Sequence, residues 1–493
     1  MHLVSLFLLR LLSTVGILAL LSGLNISHAQ GVVPPMPGIC SESDRFGVAV
    51  AGSVSRYDVT QLHAGWYHNF TLLASPPRPN GMWYAQTIRI SKDGPFPDRA
   101  CDTCPTWTLL DSVVQANPGS LWLIGNEPDR QDYVYPDRYA EIYHDLHTFI
   151  KARDPSTRIG IGGVVQATPS RLQYLSRILA AYRSRYGSAM PIDVWNIHHY
   201  LLREADDWGG GIPPGATSPP ELILYTLGEH DMLEPSTNTD DEQMALKVGW
   251  KQHLVDFRRW MRDNGYRDRP LIITEYGILM PDFYGYDYDR VRRFMLATFD
   301  WLRTAQDPNL GYPTDGNRLV QAWAWYSLNH KDFETWPSWN HLFDPNTYQI
   351  MPLGQDFGRY TSALTAPLPG SIDLQPTSLW HTDPQPTTGS LVRMDIKVEI
   401  RNHGAAAAQN ALVRFERDSA WVDEVTMTYL APGASQVISL EWTGLVPASL
   451  HQVTVTVNPD ATITECDPFN NRLSAPMLVT DIRTFLPIIV RSR

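Results

Sequence analysis

A strand–helix alternation repeated eight times constrains this chain more than any other feature. Apolar stretches of strand length occur at Phe46–Ala51, Ala64–Phe70, Met82–Ile90, Leu121–Gly125, Arg158–Val165, Ile192–Tyr200, Pro270–Gly277 and Leu319–Ser327. Each is followed by a helix or by a stretch compatible with one. Helical spacing of apolar residues is clear in Arg138–Ala152, where Ile142, Leu146, Phe149 and Ile150 recur on one face. Further helices are expected at Trp107–Ala116, Arg171–Tyr186, Glu242–Asn264 and Asp289–Thr304, with a last one near Gly354–Leu364. Eight such units predict an α/β fold, a (β/α)8 barrel. A doubly wound open sheet is the competitor, but no Gly-rich phosphate loop follows the first strand.

The pattern changes near residue 370. Residues 366–390 are rich in Pro, Ser and Thr and mark a joint. Beyond it, Leu391–Arg401, Ala411–Arg417, Val425–Leu430, Ser435–Trp442 and His451–Val457 alternate apolar and polar residues between turn signals. No helical period remains, so the C-terminal part is expected to be an antiparallel, immunoglobulin-like β-sandwich. Residues 1–29 read as a secretory signal: Arg10 precedes the apolar run Leu11–Leu24, and Ser27-His28-Ala29 offers a small-x-small cleavage site. An uncleaved anchor is the alternative. The expected division is therefore 1–29 signal, 30–365 barrel, 366–390 linker and first strand, 391–482 sandwich and 483–493 tail. In the tail, Thr484–Val490 is either a final strand or a sorting tail. The four cysteines are Cys40, Cys101, Cys104 and Cys466. In an exported chain Cys101 and Cys104 suit a short loop-stiffening disulfide; free thiols remain an alternative.

The charge balance, 40 basic against 52 acidic residues for a net −12, offers no broad basic surface and excludes a nucleic-acid partner. The 16 Trp and 22 Tyr exceed what a core alone needs and suit a ligand with flat apolar faces, such as a sugar ring. In a barrel the reactive residues gather where strands end. Here the fourth strand ends in Asn126-Glu127-Pro128-Asp129, the sixth in His198-His199-Tyr200 and the seventh in Thr274-Glu275-Tyr276. Two glutamates thus face one mouth, which is what glycoside hydrolysis asks of a protein: one carboxyl to protonate the leaving oxygen and one carboxylate to attack the anomeric carbon. Because Pro128 follows, the Glu127 backbone is expected to be extended.

These strand ends resemble clan A of the glycoside hydrolases, which are retaining (β/α)8 enzymes. The resemblance covers about residues 44–365 and rests on Asn126-Glu127-Pro128, Glu275, His198-x-Tyr200 and Trp325. It implies Glu127 as acid/base and Glu275 as nucleophile. It also implies Asn126 at the substrate 2-hydroxyl, His198 and Tyr200 as orienting groups, and Trp325 as the floor of the −1 subsite. Within the clan, Gly65-Trp66-Tyr67-His68-Asn69-Phe70 and Gly125–Asp129 are similar to family 128, while His341–Asp344 with Pro352-Leu353-Gly354 is similar to families 5 and 39. Trp66, Trp336 and Trp339 are candidate sugar platforms, with core or loop packing as the alternative. Trp323 shares a strand face with Trp325 and reads as core, and His199 reads as packed against a helix. The clan's chemistry needs neither metal nor cofactor. The segments Asn458–Glu465 and Asp467–Arg472 resemble the last hairpin of the CARDB module of bacterial surface proteins. Their Asx residues are read as turn formers, with calcium binding as an alternative. The expectation is a secreted, monomeric polysaccharide hydrolase with possible attachment at the cell surface. Its rival is a non-catalytic carbohydrate-binding or adhesion protein on a hydrolase-like barrel.

Overall fold

The structure, a computed structural model, describes residues 38–91, 104–200, 202, 204, 210–216, 250–330, 338–480 and 490–491. The signal reading of residues 1–29 lies outside these. The barrel strands are β1 (Phe46–Ala49), β2 (Trp66–His68), β3 (Trp83–Tyr84), β4 (Gln86–Ile88), β5 (Leu121–Ile124), β6 (Arg158–Ile161), β7 (Trp195–His198), β8 (Leu271–Tyr276) and β9 (Ala322–Trp325). β3 and β4 are two halves of one stave, separated by Ala85. Parallel pairing runs β3-β2-β1-β9-β8-β7 and β4-β5-β6. Bridges Gly160 to Val194 and Val164 to Ile197 join β6 to β7. Eight parallel staves therefore close on themselves, as the alternation predicts.

Among the described residues six α-helices cover the outside: α1 (Trp107–Ala116), α2 (Pro136–Arg153), α3 (Pro169–Tyr186), α4 (Trp250–Asp263), α5 (Tyr288–Thr304) and α6 (Pro352–Ser362). Local chemistry sets several of their starts. Proline occupies the first position of α2, α3 and α6, where its missing N–H is not needed. Asp287 caps α5 by accepting from the Arg290 amide at 2.8 Å. The first two units depart from expectation. Only 3-10 turns, Val54–Arg56, Val59–Leu62 and Pro79–Gly81, connect β1 to β2 and β2 to β3.

Strand alternation sorts the aromatic surplus. Trp66, Trp83, Ala85, Leu121, Leu123, Val194, Ile272, Ala322 and Ala324 form one buried cluster, the barrel interior. Trp66 and Trp83 stack there with ring centroids 4.9 Å apart. Gly47 is required beside them, since a Cβ there would sit 2.4 Å from Trp66 Cε2. The other strand faces pack on the helices, as in the edge-to-face contact of Phe46 with Phe299 of α5 at 4.8 Å.

Among the described residues nine strands follow the barrel: β10 (Leu374–His381), β11 (Gln385–Pro386), β12 (Val392–Asn402), β13 (Ala408–Arg417), β14 (Ala420–Leu430), β15 (Ser435–Leu445), β16 (Leu450–Val457), β17 (Arg472–Leu478) and β18 (Val490–Arg491). One sheet holds β11, β12, β10 and β18, with β15 on β12; the other runs β14-β13-β16-β17. Alternate residues such as Met394, Ile396, Val398 and Ile400 fill the space between them. Val490–Arg491 pairs with β10, so this end of the tail is a strand.

Barrel and sandwich meet below the N-terminal ends of the staves, at the pole opposite the strand ends that carry the glutamates. A disulfide joins Cys40 to Cys466 across 426 residues. Cys104 is disulfide-bonded as well; Cys101 lies outside the described residues. Phe469 packs so closely on Gly119 that no side chain fits there. Asp44 of the barrel and Asp373 and Asp467 of the sandwich line one cleft at this joint. Burial, aided by the neighbouring acids, pushes Asp373 up to about 7, and burial also pushes Glu465 up to about 7. Asp44 and Asp467 are raised for the same first reason. A carboxyl whose folded pKa exceeds its unfolded value binds an extra proton in the folded state at intermediate pH. Stability from these groups is therefore full below about pH 4, the unfolded value, and is lost as pH rises to about 7. Thermal melts should show the melting temperature falling over this range, and Asp373→Asn should flatten that fall; a wild type insensitive to pH over this interval would contradict it.

Candidate active site

The Glu127 turn is built from backbone constraint. Glu127 has φ +48°, in the left-handed region, which corrects the extended conformation expected from Pro128. A non-Gly residue held there stores roughly 1–3 kcal/mol and needs a surrounding frame. That frame is explicit. The Glu127 amide donates to Gly163 O at 3.0 Å, and its carbonyl accepts from Arg130 N at 2.9 Å and Asp132 N at 3.1 Å. The Asp132 carboxylate in turn accepts from Asn126 N at 2.7 Å. Local hydrogen bonds over this turn outweigh the pre-proline preference.

Glu275 reaches the same place through a register shift. Ile197 pairs with Ile273 but His198 pairs with Glu275, so β8 carries one extra residue. Thr274 bonds to Asn196 at 2.9 Å while Glu275 also faces inward. The Tyr200 hydroxyl donates to Glu275 Oε2 at 3.0 Å. His198 stands between the two acids, with Nδ1 3.1 Å from Glu127 Oε1 and Nε2 3.3 Å from Glu275 Oε1. Gly163 makes this possible, since a Cβ there would lie 2.4 Å from His198 Cδ2. Oxygens of the two glutamates and a nitrogen of His198 all lie within 4.8 Å of one another.

Electrostatics follow from this arrangement. Burial pulls the His198 pKa down, but Glu275 first and Glu127 second outweigh it, and the imidazole is raised. Burial pushes Glu127 up, but His198, Arg130 and Arg171 outweigh that and the carboxyl is lowered. Both directions favour a charged pair, a protonated His198 beside an ionised Glu127. Glu127 Oε2 makes no hydrogen bond among the described residues. Arg130 Nη1, on a side chain 43% exposed, lies 3.7 Å from it. The trio is compact enough for a metal ion, yet an imidazole ligand needs a free lone pair, and both ring nitrogens here face carboxylate oxygens.

Other expected residues fall in several places. Asn126 is buried in the turn, its side-chain amide donating to Gln131 Oε1 at 3.2 Å. Trp66 does not reach the mouth: it is fully buried in the barrel interior, its indole N–H on Arg45 O at 3.1 Å. Trp325 is corrected too. Paired with Tyr276 on the outward face, it packs on Phe294 and Phe299 of α5 and donates to Asn340 O at 2.7 Å. The inward aromatic is the next residue, Tyr326, which lines a cavity of about 290 Å³ with Glu275, Phe70, Arg89, Gln131 and His330. Small inward residues at Ala322 and Ala324 were the signal for that phase. Trp323 is core, as read. Trp339 packs on Tyr288 at 5.6 Å, as a loop residue, and Trp336 lies outside the described residues. His199 packs on α4, its Nε2 2.9 Å from Trp250 O, and burial pulls it down to about 3.

One buried network had no sequence signal. Arg171 of α3 binds Asp129 at 2.7 Å and Glu204 at 2.9 Å, all three without solvent exposure. It also donates to Gly210 O and Gly211 O, tying the chain after β7 to the Glu127 turn. In the sandwich, the Asx residues behave as turn formers: Asn458 bonds to Ile463 and Glu465, and Asp467 accepts from Phe469 N.

Comparison with known proteins bears on both parts. No curated protein matches the chain. A GH128 (subgroup II) endo-β-1,3-glucanase from Sorangium cellulosum aligns at 13% identity and TM-score 0.39, over 64% of this chain and 97% of its own. A GH128 (subgroup VII) oligosaccharide-binding protein from Trichoderma gamsii aligns at 12% identity and TM-score 0.38, over 65% and 94%. The CARDB domain of PF1109 from Pyrococcus furiosus, solved with di-metal ions, aligns at 17% identity and TM-score 0.19, over 22% and 89%. Residues 373–475 match the CARDB family, the module that the 458–472 segment resembles.

Proposed function

We propose that this protein is an exported glycoside hydrolase that cleaves a polysaccharide with retention of anomeric configuration. One observation carries the reading: oxygens of Glu127 and Glu275 lie within 4.8 Å of each other at the mouth of the barrel. Carboxyl groups about 5–5.5 Å apart leave no room for an interposed water and suit a covalent glycosyl intermediate. Glu275, held by Tyr200, attacks the anomeric carbon as the glycosidic C–O bond breaks. Glu127 delivers a proton to the leaving oxygen, then takes one from the water that hydrolyses the ester.

The proton needed in the first step is already in the site. We assign it to the His198 imidazole, whose hold on a proton both neighbouring acids strengthen. Transfer from Nδ1 to Glu127 Oε1 across 3.1 Å produces the acid form without exchange with solvent. Once Glu275 becomes an ester, the carboxylate that most stabilises the imidazolium is gone, which favours a neutral His198 while Glu127 acts as base.

Two measurements test this. On a panel of polysaccharides the wild type should release sugar whose anomeric configuration, followed by proton NMR, is retained. Glu275→Ala should abolish turnover while keeping binding. A wild type that binds but turns nothing over would leave the non-catalytic reading, and inverted product would remove the double displacement. Because His198 holds its proton above the ordinary imidazole value, the alkaline limb of kcat/KM should lie above about pH 6.5. A limb at or below that value would exclude the shared proton.

A further inference from the structure

Arg89 sits directly after β4, in the wall of the cavity that holds Glu275. Its Nε and Nη2 donate to Asp132 Oδ1 at 3.1 and 2.7 Å. Asp132 is itself buried, and its other oxygen accepts from Asn126 N at 2.7 Å. Its backbone amide donates to the Glu127 carbonyl at 3.1 Å. Asp132 is therefore the brace of the left-handed turn, and Arg89 is the cation that holds the brace. Nothing among the described residues bonds Arg89 Nη1, and the side chain keeps 23% of its exposure although its partner is buried.

Resting on the glycosidase reading above, we propose that Arg89 is a positioning residue for the proton donor. Through Asp132 it holds the Asn126–Glu127 turn in the geometry that aims the Glu127 carboxyl, while the free edge of its guanidinium faces the sugar. Two physical features require this link. A backbone held at φ +48° relaxes when its frame weakens. A guanidinium that uses two N–H groups on one carboxylate oxygen cannot be replaced by the single ammonium of lysine without losing one of them. Substrate hydroxyls bonded to the outer N–H groups would tighten the same brace, so occupancy of the pocket and alignment of the acid become one event.

The test separates acid function from general damage by leaving group. A 2,4-dinitrophenyl glycoside departs without protonation, whereas a 4-nitrophenyl or unactivated glycoside needs more help from the acid. With the sugar that the polysaccharide panel identifies, Arg89→Gln and Asp132→Asn should each lower kcat/KM on the poorer leaving group about tenfold more than on the dinitrophenyl glycoside. Glu127→Gln should show the same split in stronger form, and Arg89→Lys an intermediate one. Melting temperatures of the variants report folding separately, and Asp132→Asn, nearly isosteric, serves if Arg89→Gln does not fold. Equal losses on both leaving groups would overturn the inference and leave the glycosidase reading standing. No hydrolysis of either probe or of the panel by the wild type would instead overturn that reading.

Discussion

The site depends on one buried contact: a single imidazole placed between two carboxylates. Isolated, each buried glutamate would be costly to keep ionised. His198 removes that difficulty for both at once, since it is close to both acids and its protonation balances one of their charges. Much of the surrounding structure serves to hold this contact. Gly163 gives the ring room, the extra residue in β8 turns Glu275 inward, and the Gly163 carbonyl anchors the amide of Glu127.

The second constraint lies at the opposite pole. The sandwich does not extend the mouth; it packs below the N-terminal ends of the staves, where a disulfide and a group of buried acids join it to the barrel. The two glutamates and the domain attachment are thus separated by the height of the barrel. The sandwich is attached without touching the two glutamates.

Several features were legible in the sequence for a plain reason. Strand–helix alternation is a local, periodic signal, and eight repeats of it admit few closed solutions. The alternating strands after residue 390 are equally local. Glu127 and Glu275 could be found because strand ends in a barrel converge whatever the loops do. His199 could be separated from His198 because neighbours on a strand face opposite ways.

Phase and long-range pairing were not legible. Trp325 and Tyr326 differ by one position, and which of them faces the mouth depends on where the register slips in β8, an event visible only in the pairing of three strands. The Glu127 backbone departs from the pre-proline preference because hydrogen bonds from Gly163, Arg130 and Asp132 close around it. Arg171 and Glu204 carry no motif, yet together with Asp129 they form a buried ion cluster behind the site. Cys40 finds Cys466 over 426 residues because the sandwich packs under the barrel. Periodicity and the residues at strand ends were enough to read the barrel, the sandwich and the two facing glutamates. Which aromatic lines the cavity beside Glu275, which side chain stands between the glutamates and what braces the Glu127 turn emerged only from the folded chain, because each depends on contacts between segments far apart in sequence.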